Sequence, residues 1–233
     1  MGILIFEGMR LGFLEGDFSI ALDESGSVSS KAILSTSYNT LPLWLNLAKA
    51  SCAEACLAHE NTVRSWSSHE EEQKQLLLAE LRPSMLSIVS CAISIDALYD
   101  LMKPLAKLDV TTVKGWQKNK KSRVFQMVEV FRRAFRLNVD EAEWCKKIIK
   151  EISHLRDRAV HPSHKIERTM QRDDVPVGVD WRFVAYRYSN CRVALDNTMK
   201  MFGEFFERAS WDAKIMKEME ILRKSFIENR ILE

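Results

Sequence analysis

The densest polar cluster of the chain runs His154-Leu155-Arg156-Asp157-Arg158-Ala159-Val160-His161-Pro162-Ser163-His164. Asp157 and His161 are four positions apart, so on a helix a carboxylate can meet an imidazole on one face and select its tautomer. Arg156 precedes His161 by five positions, about 140° around a regular helix. Pro162 biases His161 away from the helical region, which frees the imidazole to leave the spiral and approach the guanidinium. An arginine and a histidine on one short, rigid segment can bind a phosphodiester and move a proton beside it. The same residues also suit a purely structural end. A terminal histidine favours the negative pole of a helix, and arginine can cap its last carbonyls.

The elements that must hold this segment are helical. After Gly26 the sequence offers only three more glycines and five prolines, too few turn signals for a sandwich or barrel. Helical patterning runs from Leu41-Pro42 to about Trp66, and again from Ser68, an N-cap followed by acids, to about Leu105. Pro83 predicts a kink or break in that second helix. A third helix is expected over 118–137, and Asn138-Val139-Asp140 ends it and caps a fourth over 140–160. The fourth carries the stripe Cys145, Ile148, Ile149, Ile152, Leu155 and Ala159, and Pro162 stops it. A polar loop over 163–179, a long helix over 180–207 and an amphipathic helix with Trp211, Ile215, Met219, Leu222 and Phe226 complete the chain. The domain reading is a β-rich appendage over 1–36, a helical domain over 37–210 and a C-terminal amphipathic helix over 211–233. In the appendage, Ile3–Phe6 and Phe18–Leu22 are short apolar runs between glycines, expected to form a small hairpin or meander.

Charge is unevenly spread. The net charge is +2, yet residues 114–172 hold 16 Lys/Arg against 7 Asp/Glu. A basic block inside an otherwise acidic chain fits either a polyanion site or a solvated helix face. No apolar run of the sequence reads as an 18-residue membrane span, and Phe6 stands where a myristoylation signal requires Ser or Thr. Five cysteines, an odd number in mostly apolar helical contexts, are expected to act as small hydrophobes in a reduced, cytoplasmic protein.

With these elements in place, Arg156-Asp157-x3-His161-Pro162 at the end of an apolar-striped helix resembles the HEPN (higher eukaryotes and prokaryotes nucleotide-binding) superfamily. Its mark is Arg, four to six residues, then His, with a polar residue after the Arg. Arg64-x4-His69 and Arg158-x5-His164 also match the bare spacing, but only Arg156-x4-His161 has the Asp, the striped helix and the following Pro. Residues 88–98, apolar with one embedded acid, resemble the family's first core helix, residues 128–135 its second, and Arg192 onward the helix after the motif. The resemblance covers about 83–207. It implies an all-α HEPN-like bundle and a metal-independent ribonuclease, needing no cofactor, that works as a homodimer with two facing motifs. Arg156 would hold the scissile phosphate, His161 would act as general base or acid, and Asp157 would orient His161. The products would be a 2′,3′-cyclic phosphate and a 5′-hydroxyl. Arg158, His164, Lys165, Lys120 and Lys121 would contact RNA. The usual setting of such proteins implies a toxin or phage-defence role, with an antitoxin or other regulatory protein as partner and no membrane. The alternative is a non-catalytic HEPN module that binds a nucleotide or a protein.

Other patterns point to less. Cys52, Cys56 and His59 share a helix face and could nominally ligate zinc, but no second ligand cluster accompanies them, and their Ala-rich surroundings favour close helix packing. Lys118-Asn119-Lys120-Lys121 fits a solvated helix start as well as an RNA contact. Six Trp and eleven Phe fit a core or a dimer interface. Neither G-x-G-x-x-G nor a Walker sequence occurs, which argues against nucleotide hydrolysis of those types.

Overall fold

The structure, a computed structural model, describes residues 4–5, 9–22, 25–66, 69–161 and 165–232. The chain divides into two compact units, Met1–Thr40 and Leu41–Glu233.

The first unit is built of antiparallel pairs. β1 (Met9–Gly12) pairs with β4 (Ser35–Tyr38), and β2 (Phe18–Leu22) pairs with β3 (Val28–Ala32). Strand β2 lies where the apolar run predicts it. Of the other predicted strand, Ile3 and Phe6 lie outside the described residues, and Leu4 and Ile5 are not in a strand. Period-two alternation gathers Phe18, Ile20 and Leu22 on one face with Val28 and Ala32 across the ladder. The four larger side chains of that face are all exposed.

The second unit is a helical bundle organised around one long helix, α2 (Glu70–Met102). α1 (Leu41–Arg64) packs along it, and α4 (Arg123–Ala134), α5 (Val139–Val160) and α7 (Tyr188–Arg208) pack on its other sides. The α1–α2 seam is rich in small residues: Ala48, Ser51, Cys52 and Ala55 on α1 and Ser84, Ser87 and Cys91 on α2 are all buried. Small side chains let the backbones approach, and the Ser87 hydroxyl donates across the seam to the Ala48 carbonyl at 2.8 Å. Pro83 does not break α2. It is buried inside a continuous 33-residue helix, because the packing of neighbouring helices outweighs one missing hydrogen bond. The expected N-cap, Ser68, lies outside the described residues, and His69 occupies the N-cap position.

Between α2 and α4 the chain folds differently from the expectation. Asp109 caps a helix α3 (Val110–Lys118), accepting from the Thr112 N–H, and Ser122 caps α4, accepting from the Phe125 N–H. The helix expected over 118–137 therefore starts only at Arg123, and α3 lies in a stretch where no helix is expected. α5 begins with a reciprocal capping box between Asn138 and Glu141, as the sequence predicts. Ala142, Cys145, Ile148, Ile149 and Ile152 are buried on its inner face. At about 1.5–3 kcal/mol for each large aliphatic side chain fully buried, this stripe anchors the helix independently of its polar end.

The expected loop after α5 contains a hairpin, β5 (Met170–Arg172) and β6 (Val175–Val179), with an irregular register at Gln171/Arg172. Val175 and Val179 form a small second apolar cluster with Leu77. The helix expected over 180–207 is two: α6 (Trp181–Ala185), capped by Asp180, and α7. A 3-10 turn at Ala209–Trp211 leads to α8 (Ala213–Glu228), whose Ile215, Met219, Leu222 and Phe226 join the main core. In that core Phe135 and Phe205 stack with centroids 4.2 Å apart and planes 6° off parallel.

One helix, α2, is long and apolar enough by length and composition to cross a membrane. Of its most apolar 18-residue window, 56% is buried inside the bundle, as in the core helix of a folded domain.

Candidate functional site

The C-terminal end of α5 stands where the sequence places it. Val160 is the last helical residue, and His161 is the C-cap with φ −111° and ψ 98°, extended as the following proline requires. Its backbone N–H still donates to the Asp157 carbonyl at 3.0 Å, so the helix is regular up to its end. Tyr186 clamps the same turn from outside the helix: its buried hydroxyl donates to the Leu155 carbonyl at 2.7 Å. The His161 side chain is exposed, and no described side chain engages its imidazole.

Arg156 and His161 do not meet. The Arg156 guanidinium turns toward α2, where Nη1 donates to Asp96 Oδ2 at 3.5 Å. Its Nε lies 2.7 Å from Asp157 Oδ1, a close charge contact in which the N–H is not aimed at the oxygen. Asp157, expected to orient His161, is therefore drawn to its sequence neighbour. The physical reason is that a full cation one residue away competes successfully with an imidazole one turn on.

Asp96 is the acid embedded in the apolar run 88–98, and it serves two arginines. Its other oxygen, Oδ1, accepts from Nε of Arg123 at 2.9 Å, and Nη2 of Arg123 reaches Asp100 at 3.2 Å. The Arg123 guanidinium also lies 3.9 Å from the centroid of the Tyr99 ring. Sequence reasoning passed over Arg123. The available signal was Ser122, whose capping places Arg123 in the first turn of α4. Lys120 and Lys121 lie exposed in the turn just before that cap, and Lys121 Nζ sits 5.0 Å over the Phe125 ring. The result is a solvent-accessible cluster in which two guanidiniums, Arg123 and Arg156, share the carboxylates of Asp96, Asp100 and Asp157.

Arg158 lies on a different face of α5. Its guanidinium stacks on the Trp181 ring, 3.4 Å from the centroid, and pairs with Glu167 at 3.0 Å. Lys165 is exposed in the segment that follows, and His164 lies outside the described residues.

A second polar cluster, unforeseen in the sequence, is buried. Glu80 of α2 and Arg172 of β5 each have side chains 1% exposed and pair at 2.8 Å. Arg172 also donates through Nε to Asp174 at 2.9 Å and through Nη1 to the Phe183 carbonyl at 3.1 Å, and its Nη2 contacts the other oxygen of Asp174. Glu80 Oε1 accepts from the Tyr188 backbone N–H at 2.8 Å. His59 Nδ1 approaches Glu80 at 3.2 Å and Asp174 at 3.5 Å without hydrogen-bond alignment. The Arg172 guanidinium holds the Asp174 carboxyl below its ordinary range, against the opposing effect of burial. His59, Glu80 and Asp174 are the one group among the described residues with ligand atoms close enough to share a metal ion. Both carboxylates are already committed to Arg172, so the arrangement is an ion-pair lock.

The trio Cys52, Cys56 and His59 is not brought together. Cys52 is buried against Cys191, and Cys56 Sγ lies 3.8 Å from Glu60. Among the described residues all five thiols are free, and four are buried. Burial pushes Cys91 and Cys145 up to about 12, which removes them as nucleophiles near neutral pH.

No protein-family model, curated protein or solved structure matches this chain.

Proposed function

We propose that the protein is a metal-independent endoribonuclease of HEPN type, acting through Arg156 and His161. The observation that carries the reading is the end of α5, where an exposed imidazole with no described partner caps a regular helix five residues after an arginine anchored to the bundle core helix. The extended backbone of His161 and the contact of Asp96 with Arg156 support the reading. Asp96 acts as the anchor of Arg156, and Arg123 is the second cation on the same carboxylate.

In this reading His161 removes the proton from a ribose 2′-hydroxyl, and the oxygen attacks the adjacent phosphorus. Arg156 balances the charge that accumulates on the phosphoryl oxygens, and the 5′-oxygen leaves with a proton. The bond that forms closes the 2′,3′-cyclic phosphate, and the bond that breaks releases the 5′-hydroxyl. A single motif offers only one imidazole, so base and acid come from two motifs facing each other across a homodimer. A regulatory partner that covers the site, as an antitoxin does, fits the same surface.

Light scattering at micromolar concentration is expected to give about twice the 26.9 kDa chain mass. His161→Ala and Arg156→Ala are each expected to lower RNA cleavage by at least a hundredfold while helical circular dichroism is retained, and cleavage by the wild type is expected to survive EDTA. His69→Ala, at the far end of α2, serves as the control. A wild-type chain that binds a nucleotide or protein through this surface but cleaves no RNA would establish the non-catalytic alternative.

A further inference from the structure

The two faces of the last turns of α5 differ in charge. On the Arg156 face, two guanidiniums stand among three carboxylates, and every carboxylate there is in contact with an arginine. On the opposite face lies a shallow recess of about 650 Å³ lined by His154, Arg158, Lys165, Ile166, Glu167 and Arg168. It holds three cations against one carboxylate, with an exposed imidazole beside them. On the first face the arginines are already engaged by carboxylates, whereas on the second the cations outnumber the carboxylate, which favours an approaching anion there.

Helix geometry places His161 with the recess. Positions 154, 158 and 161 are i, i+4 and i+7, and at 100° per residue their Cα atoms fall within roughly 60° of one another. Arg156 lies roughly 160° from His154 by the same count. The one guanidinium of the recess that α5 supplies, Arg158, is held rigid by the Trp181 ring beneath it and by Glu167. Glu167 engages a single nitrogen, and a guanidinium offers five N–H donors in a fixed fork, so Glu167 leaves most of them uncommitted.

We propose that this recess binds the RNA backbone on the strand side next to the cleaved bond, with Arg158 and Arg168 on consecutive phosphates and His154 donating to one of them. His154 and Arg168 are thereby assigned to the binding surface together with Arg158 and Lys165. The inference depends on the ribonuclease reading for one thing, the identity of the ligand as RNA. The strand then reaches His161 from the attractive face of α5 and meets Arg156 only at the scissile phosphate.

The test is fluorescence anisotropy of the full chain with an end-labelled single-stranded RNA, repeated over a salt series. Lys165→Glu/Arg168→Glu is expected to weaken binding at least tenfold at 0.1 M salt, with retained circular dichroism. Lys165→Ala/Arg168→Ala is expected to reduce the slope of log affinity against log salt by about 0.7 for each cation lost. His154→Ala is expected to weaken binding less, and Lys214→Glu on α8 not at all. Binding unchanged by the charge reversals, with the wild type still cleaving RNA, overturns the recess and leaves the ribonuclease reading standing. A wild type that binds no RNA overturns both.

Discussion

Two clusters of this bundle are built on arginine–carboxylate pairs, and they differ in how much water reaches those pairs. Around Glu80 and Arg172 the side chains are 1% exposed, and every polar atom of the arginine has an internal partner. Around Arg156 and Asp96 the side chains are about a quarter exposed, and the contacts of Arg156 are longer or less aligned. In the first cluster Glu80 and Arg172 have surrendered their hydration, so the energy of each depends on the other staying in place. In the second, water can replace any one partner at little cost, which leaves the groups available to a ligand. The buried set locks β5 to α2 and α7, whereas the exposed set stays open to solvent.

The sharpest way to break this comparison is to remove the buried cation. Arg172→Met leaves Glu80 and Asp174 without their guanidinium, and the expected loss is about 3–5 kcal/mol, as for breaking a buried pair on one side only. Urea titration followed by circular dichroism measures it, and hydrogen exchange should locate the first loss of protection in β5 and β6. A loss below 1 kcal/mol would put the two clusters in one class.

Acid probes the same lock without mutation. The Asp174 carboxyl is held down by Arg172, so its contribution is complete above the ordinary carboxylate value of 3.8 and is lost as pH falls through the lower folded value. Thermal midpoints of the wild type are expected to drop more steeply below about pH 4 than those of Asp174→Asn, in which that titration is absent. Parallel curves would refute the assignment.

The smallest effect is expected on the exposed side. Arg156→Ala should cost no more than about 1 kcal/mol, because the ion pairs it loses are partly solvated and the packing of α5 is carried by Ile148, Ile149 and Ile152. Asp96→Asn should cost about as little in stability, yet it loosens both Arg123 and Arg156, so RNA cleavage is expected to fall about tenfold. A destabilisation of Asp96→Asn comparable with that of Arg172→Met would make Asp96 part of a structural lock.

Much of the helical unit is legible in the residues alone. The stripe of α5, its Asn138 cap and its proline-directed end all appear where local chemistry puts them, because each depends on residues within one or two turns. The misses have equally local causes. Asp109 caps a helix that apolar periodicity does not mark, Ser122 sets the start of α4 inside the expected helix, and the break between α6 and α7 at Tyr186 has no proline or glycine to signal it. The hairpin β5–β6 is hard to read locally because β5 is three residues long and β6, though apolar, carries Pro176 and Gly178, which signal a break, while Arg172 holds it to α2 from a distance.

The amino-acid sequence by itself determined that the second unit is helical, that α5 ends at Val160, and that an arginine, an aspartate and a histidine stand at that end. Those outcomes follow from periodicity, capping and proline, which act over a few residues. Tertiary structure alone decided which carboxylate each arginine meets: Arg156 with Asp96 sixty positions away, Arg172 with Glu80 ninety-two positions away. It also decided that one of these pairs is dry and the other wet. An ion pair is set by distance and burial in three dimensions, and neither quantity is written in the spacing of residues along the chain.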